Sequence, residues 1–236
     1  MKTITGCILL CLLALNTIAQ TGERKRRLDE IEVKDSAGMV YPTVVVQKLL
    51  MTGKYTIRLN AASQTGLLVK LTEEEINKRN ERLPRPGESR FFKTGEKISS
   101  FTERDIRGNK YNLKELLGKV VVLNFWFINC PPCRMEMPDL NELVENYKDN
   151  KEVVFIAVAL DEKYAIQDFL KTNPFQYNII DNGRYIASKY GITSYPTHVI
   201  LDRQGKVNFH TSGLATSTVP WIKKSIEAAL KETVPQ

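Results

Sequence analysis

Apolar positions along the chain fall into distinct kinds of run, and each kind predicts a different element. Residues 119–127 (KVVVLNFWF) and 153–160 (VVFIAVAL) are almost continuously apolar. Runs of that length suit central strands buried on both faces of a sheet. Between them Leu140, Leu143, Val144 and Tyr147 recur at i, i+3, i+4 and i+7, which is one face of a helix. Further helices are predicted over 162–171 and 184–190, and a last one has Trp221, Ile222, Ile226, Ala229 and Leu230 as its apolar side. Residues 197–202 and 206–210 flank Arg203-Gln204-Gly205 and predict a terminal hairpin. Strands alternating with helices predict an α/β domain over 91–236 with a mostly parallel core.

Shorter apolar runs come earlier. Residues 39–46, 55–59 and 67–71 predict strands, separated by turn signals at Thr52-Gly53 and 63–66. Thr72 followed by Glu75 has the spacing of a capping box and predicts a short helix to about Arg79. The stretch 83–89, with two prolines and a glycine, predicts a linker, and 20–36 a loose polar lead-in. Residues 20–90 are therefore read as a small β-rich N-terminal extension with its linker.

The first residues read as a targeting segment. Lys2 is followed by an apolar run over 8–15, no acid precedes Glu23, and Thr17 and Ala19 stand at −3 and −1 of a cut before Gln20. This is the layout of a signal peptide over 1–19. A retained membrane anchor is the rival, but the run falls short of the roughly 20 apolar residues a spanning helix needs. Lipidation at Cys7 is a third reading, and there the apolar segment follows the cysteine where it ought to precede it. Cleavage removes Cys7 and Cys11 and leaves Cys130 and Cys133 as the only thiols. One close pair in an exported chain sits where disulfides persist.

Composition narrows the function classes. An ordinary globular balance excludes wholesale disorder, a collagen-like fibre and a multi-pass membrane protein, and four cysteines in 236 residues exclude a disulfide-dense miniprotein. The net charge of +7 is spread along the chain, with one tight run at 24–27. A nucleic-acid or anionic-membrane surface is one reading of it, and a solvated, mildly cationic surface is the other. The second is adopted, so no nucleic-acid partner is expected.

The chemistry is concentrated at Cys130-Pro131-Pro132-Cys133. The predicted strand ends three residues before Cys130 and a helix begins just after it. A thiolate at a helix N-terminus is favoured by unpaired backbone N–H groups and the positive end of the helix dipole. Cys133 lies one turn on. Pro131 and Pro132 fit the first turn, where a missing N–H costs little. Exchange chemistry needs an exposed attacking sulfur and a shielded resolving one, and this spacing offers both. A purely structural bridge is disfavoured because a four-residue loop encloses little chain. Half a zinc site lacks a second close pair of ligands, since only His198 and His210 remain. A copper carrier would use cysteines with a histidine, but at a wider spacing than C-x-x-C.

Residues 91–236 resemble a thioredoxin-fold domain of the exported TlpA/ResA type, within the redoxin group. The resemblance rests on Asn124-Phe125-Trp126 leading into Cys130-Pro131-Pro132-Cys133, then Glu136 and Pro138, Tyr190-Gly191-Ile192, Tyr195-Pro196-Thr197 and Gly213. Gly108 and Leu116-Leu117-Gly118-Lys119 match the entry segment. It implies a central mixed sheet flanked by helices and a periplasmic thiol–disulfide oxidoreductase acting reductively. Cys130 would attack, Cys133 would resolve, and Glu136 would tune ionisation and relay a proton. Pro196 would be a cis-proline that frees the backbone of Tyr195 to pair with a substrate strand. Trp126, Pro131, Pro132, Tyr195 and Pro196 would meet the substrate. The resemblance further implies protein disulfide substrates, apocytochrome c among the candidates, and a membrane thiol reductant as electron donor. It implies no metal or organic cofactor, and a monomer. Asn124 stands where thioredoxins proper carry a buried acid, and Asn129 replaces a common tryptophan. A thiol peroxidase is the nearest rival, but Phe127 stands where peroxiredoxins place a threonine. A non-catalytic binding module of the cell envelope is the other.

Overall fold

The computed structural model of the chain describes residues 27–60 and 65–232. The predicted signal segment, with Cys7 and Cys11, lies outside the described residues. A 3₁₀ turn at Leu28–Glu30 leads into β1 (Glu32–Lys34), α1 (Thr43–Met51), β2 (Tyr55–Asn60), β3 (Thr65–Lys70) and α2 (Glu73–Arg82). These strands form one sheet in the order β1-β3-β2, with β3 parallel to β1 and antiparallel to β2. Its small core is Val33, Val46 and Leu68.

Two expectations are corrected here. The segment 39–46, read as a strand, is helical from Thr43 onward. Its β-branched run favours a strand, but Pro42 occupies the N-cap with extended φ and ψ and launches a helix. Val46 then faces the sheet beside Leu49 and Leu50, while Val44 and Val45 stay exposed. Packing on a helical period overrides local propensity. The lead-in is not wholly loose either, because β1 pairs with β3 and buries Val33. The capping box at Thr72 forms as expected, with the Glu75 N–H donating to the Thr72 hydroxyl at 3.2 Å and the Thr72 N–H donating to the Glu75 carboxylate at 2.9 Å.

The remaining elements are β4 (Thr102–Arg104), β5 (Lys110–Asn112), β6 (Val120–Trp126), α3 (Pro131–Asn146), β7 (Val153–Ala159), α4 (Lys163–Leu170), β8 (Asn178–Ile180), α5 (Arg184–Lys189), β9 (Thr197–Leu201), β10 (Val207–Ser212) and α6 (Thr218–Lys231). Five of them make the main sheet, in the order β10-β9-β6-β7-β8. β6, β7 and β8 run parallel, and β9 and β10 complete a mixed sheet by antiparallel pairing. Every residue of β6 is buried, as its unbroken apolar run requires. Its two faces feed two cores. Val120, Val122 and Trp126 pack with Leu140 of α3, Ile166 of α4 and Ile222 of α6. Val121, Leu123 and Phe125 pack with Ile186 of α5 and with Phe92, Phe101 and Leu113.

The segment 83–89 has no regular structure, yet it is not a free linker. Its carbonyls at Leu83 and Gly87 accept from the Trp221 indole and the Thr211 hydroxyl, at 3.0 and 2.8 Å. The Ser89 N–H donates to His210 Nδ1 at 3.1 Å. The front sheet is also tied to α3, where Lys54 pairs with Asp139 at 3.1 Å and Glu142 at 2.9 Å. No helix among the described residues is long and apolar enough to cross a membrane.

Candidate active site

β6 delivers the chain to the N-terminus of α3, and Cys130 is its N-cap. The Cys133 N–H donates to the Cys130 sulfur at 3.3 Å, so the sulfur takes the place of a capping oxygen. Pro131 and Pro132 occupy the first helical positions, where the helix has no use for their missing donors. The two cysteines are joined in a disulfide with their Cα atoms 5.3 Å apart. The loop 127–129 that enters it is held from the bend just after β7, where the Asp161 carboxylate accepts from the Ile128 N–H at 2.7 Å. Pro138 lies inside α3 and withdraws one N–H from its backbone ladder.

The expected contrast in exposure between the two sulfurs is absent in this disulfide form. Cys130 is 2% exposed and Cys133 1%. Asn129, Pro131 and Arg134 form the exposed rim, and Pro132 is half-buried. The peptide bond between Tyr195 and Pro196 is cis, as the resemblance implied. Pro196 is buried and Tyr195 half-buried. The Tyr195 ring meets Phe127 edge to face at 5.4 Å, which sets the proline loop against the segment entering the disulfide.

Trp126 is placed differently from its expected role. Its side chain is fully buried and packs on Phe169 and Phe175, at centroid distances of 5.7 and 5.5 Å. Alternation along β6 sends it into the helix-covered core, so it supports the strand end and offers no face to a substrate.

Glu136 is not a surface carboxylate. It is 3% exposed, with Oε1 2.9 Å from His198 Nε2 and 3.4 Å from Asn124 Nδ2. Asn124 Nδ2 is also 3.1 Å from His198 Nδ1. Register explains the cluster. Asn124 on β6 and His198 on β9 are direct cross-strand partners, and both point to the face that α3 covers. His198 lies in the strand predicted over 197–202, where the sequence alone points to packing or hydrogen bonding. The signal that joins it to Glu136 is its alternation with Ile200, matched by that of Asn124 with Val122 and Trp126. Burial, reinforced by the nearby Glu136 carboxylate, holds the Tyr177 phenol well above its ordinary value. Among the described residues, no three His, Cys, Asp or Glu side chains are grouped as metal ligands would be.

Comparison with known proteins agrees with this geometry. The AhpC/TSA family model matches residues 94–210. Thiol-disulfide oxidoreductase ResA of Bacillus thuringiensis subsp. konkukian is 37% identical over 143 residues, which is 60% of this chain and 79% of ResA. Thioredoxin-like protein YneN of Bacillus subtilis is 34% identical over 115 residues, covering 48% of this chain and 68% of YneN. Among solved structures, a proposed thiol:disulfide interchange protein DsbE from Chlorobium tepidum superposes with a TM-score of 0.54 at 29% identity, over 59% of this chain and 99% of that one. The fold is thioredoxin-like, and a disulfide-capped helix on that fold performs thiol–disulfide exchange. The chain belongs to the ResA-type thiol-disulfide oxidoreductases of the AhpC/TSA group.

Proposed function

We propose that this oxidoreductase works in the periplasm and in the reductive direction. The observation that carries the reading is the Cys130 sulfur as the N-cap of α3, receiving the Cys133 N–H. In the reduced chain the same position favours a thiolate at Cys130. That thiolate attacks a substrate disulfide and forms a mixed disulfide. Cys133 then displaces the substrate thiol and closes the Cys130–Cys133 bond, so two electrons pass to the substrate. A membrane thiol reductant returns them. Haem-binding cysteines of apocytochrome c fit as substrates, since they must be reduced before ligation. No metal or organic cofactor takes part, and the chain acts as a monomer.

Substrate meets the rim formed by Pro131 and Pro132 on one side and Tyr195 and Pro196 on the other. Among the described residues, the backbone N–H and C=O of Tyr195 have no protein partner. An extended substrate strand can pair there. The reading of residues 1–19 as a cleaved signal supports export. The division into a 20–90 extension and a 91–236 catalytic domain is supported by their separate sheets.

Cys133→Ser tests the reading. It leaves Cys130 able to attack and unable to be released, so disulfide-bearing exported proteins should accumulate as mixed disulfides through Cys130. A parallel Cys130→Ser variant should trap none. Failure of Cys133→Ser to capture any disulfide protein would reject the reading.

A further inference from the structure

We propose that His198 is a positioning residue of the exchange reaction, fixing the Glu136 carboxylate so that its second oxygen is the one that takes the resolving cysteine's proton. The inference rests on the exchange role of Glu136 in the reading above and goes beyond it in naming what orients that carboxylate.

The hydrogen-bond pattern assigns the proton positions. An Asn124 amide hydrogen points to His198 Nδ1 at 3.1 Å, which makes Nδ1 an acceptor. The ring proton of the neutral imidazole is then on Nε2, and it donates to Glu136 Oε1 at 2.9 Å. The second Asn124 amide hydrogen reaches the same Oε1 at 3.4 Å. Oε1 therefore carries two donors, while buried Oε2 has no hydrogen-bond partner in the protein. A proton arriving at Oε1 would have to displace a donor, whereas one arriving at Oε2 displaces nothing. Glu136 lies at i+3 from Cys133, on the same side of α3.

The chemistry balances without another reactant. In the resolving step the Cys133 thiol gives its proton to Oε2. The resulting thiolate attacks the Cys130 sulfur, the Cys130–Cys133 bond forms, and the bond from Cys130 to the substrate breaks. The electron pair leaves on the substrate sulfur, which takes up a proton from solvent as Glu136 gives its own back to solvent, so the carboxylate is restored. Throughout, His198 keeps its proton on Nε2 and holds Oε1. Its place two residues after Pro196 ties this carboxylate to the strand that carries the substrate-binding loop.

Other polar groups face this cluster. Tyr177, from the segment before β8, is held as a neutral phenol by burial and by the Glu136 charge. A cleft of about 490 Å³ borders Glu136, and across it stand Lys48, Lys54 and Arg79 of the extension, Asp139 of α3 and Lys223 of α6. Lys54 is taken up by Asp139 and Glu142.

The test compares His198→Gln, which keeps an N–H donor, with His198→Leu, which keeps bulk and loses it. The readout is the rate of mixed-disulfide resolution against pH, using a synthetic peptide disulfide, in wild type and in a Glu136→Gln background. His198→Leu should slow resolution at neutral pH by on the order of 10²-fold, the scale of a positioned proton acceptor, and displace its pH profile. His198→Gln should retain most of the rate and the wild-type profile. In the Glu136→Gln background, His198→Leu should add nothing. Equal slowing in both backgrounds, or loss of stability in both variants with an unchanged profile, would overturn the proposal. So would a Glu136→Gln chain with the wild-type profile. Nitrogen NMR of the wild-type imidazole covers the case in which His198→Leu does not fold. A proton on Nε2 alone at neutral pH is expected, and one on Nδ1 overturns the assignment. If wild type forms no mixed disulfide at all, the exchange reading falls and this proposal falls with it, a result told apart by the Cys133→Ser trap.

Discussion

Opening the Cys130–Cys133 bond should destabilise the fold by no more than about 2 kcal/mol, and that small figure bears on the direction of electron flow. The bond joins residues at a sequence separation of 3. For so short a loop, the chain entropy removed from the unfolded state corresponds to roughly 2 kcal/mol at 25 °C. Reduction also brings a gain. A thiolate at Cys130 sits on the end of α3 and keeps the Cys133 N–H. A charge so placed contributes about 0.3–1 kcal/mol, and up to about 2 where it is partly buried. The Glu136 carboxylate, buried a turn beyond Cys133, opposes a second anion there and favours the closed bond. The oxidised form should therefore be the more stable by about 0–2 kcal/mol, which for a two-electron couple places the folded pair at or up to about 40 mV below the same pair in the unfolded chain. Guanidinium unfolding of both forms, with a glutathione titration of the folded chain and of an unfolded peptide, closes the thermodynamic cycle. A reduced form more stable than the oxidised one by about 1.4 kcal/mol would poise the pair as an oxidant by about 30 mV and refute the reductive direction.

Three further outcomes are expected. Burial holds the His210 imidazole below its ordinary value of 6.5, with Arg85 acting the same way and the Glu88 carboxylate against both. The unfolded chain takes up that proton first, so stability is full above about pH 6.5 and falls as the pH drops below it; His210→Gln should flatten this part of a Tm-against-pH curve, and an unchanged slope refutes the assignment. Trp126→Ala should cost about 3–5 kcal/mol of stability while Trp126→Phe leaves the KM for a peptide disulfide unchanged; a KM rise in Trp126→Phe at unchanged stability would restore the tryptophan to the substrate surface. The triple change Asn124→Leu, Glu136→Leu and His198→Leu should keep the fold and equal or exceed wild-type stability by about 1–4 kcal/mol in chemical unfolding, because the whole polar cluster goes at once. A large loss would make the cluster structural.

What was legible in the sequence followed the clarity of its periodicities. β6 and β7 could be read because apolar residues fill both faces, and α6 because its stripe has one phase. The hairpin of β9 and β10 was marked by Arg203-Gln204-Gly205; the structure adds the Asp202 carboxylate, which accepts from the Gln204 and Lys206 N–H groups, with Gly205 at a φ of +73°. β8, β4 and β5 have only three residues each, too few for any period to show. α1 was masked by β-branched residues, since only the sheet beneath it reveals which valine faces inward. The cysteine pair, its prolines and the cis-proline stood in local motifs. The burial of Trp126 and the partner of Glu136 did not, because both depend on register between strands far apart in sequence.

That distinction explains why the polar cluster carries more functional meaning than its size suggests. In β6 a single polar residue interrupts a run buried on both faces, and in β9 a fully buried histidine stands beside it. Each polar group placed there unsatisfied costs about 1–3 kcal/mol, and apolar residues of similar volume would fill the space at no such cost. Within the cluster Glu136 Oε1, both His198 nitrogens and Asn124 Nδ2 are partnered, while buried Glu136 Oε2 has no hydrogen-bond partner in the protein. An acceptor without a donor is where an arriving proton displaces no existing hydrogen bond. The empty acceptor belongs to the residue one turn past the resolving cysteine, and its anchor belongs to the strand that follows the cis-proline. The helix that carries the thiols and the strand that presents the substrate are therefore joined through a carboxylate able to change its proton count once per turnover.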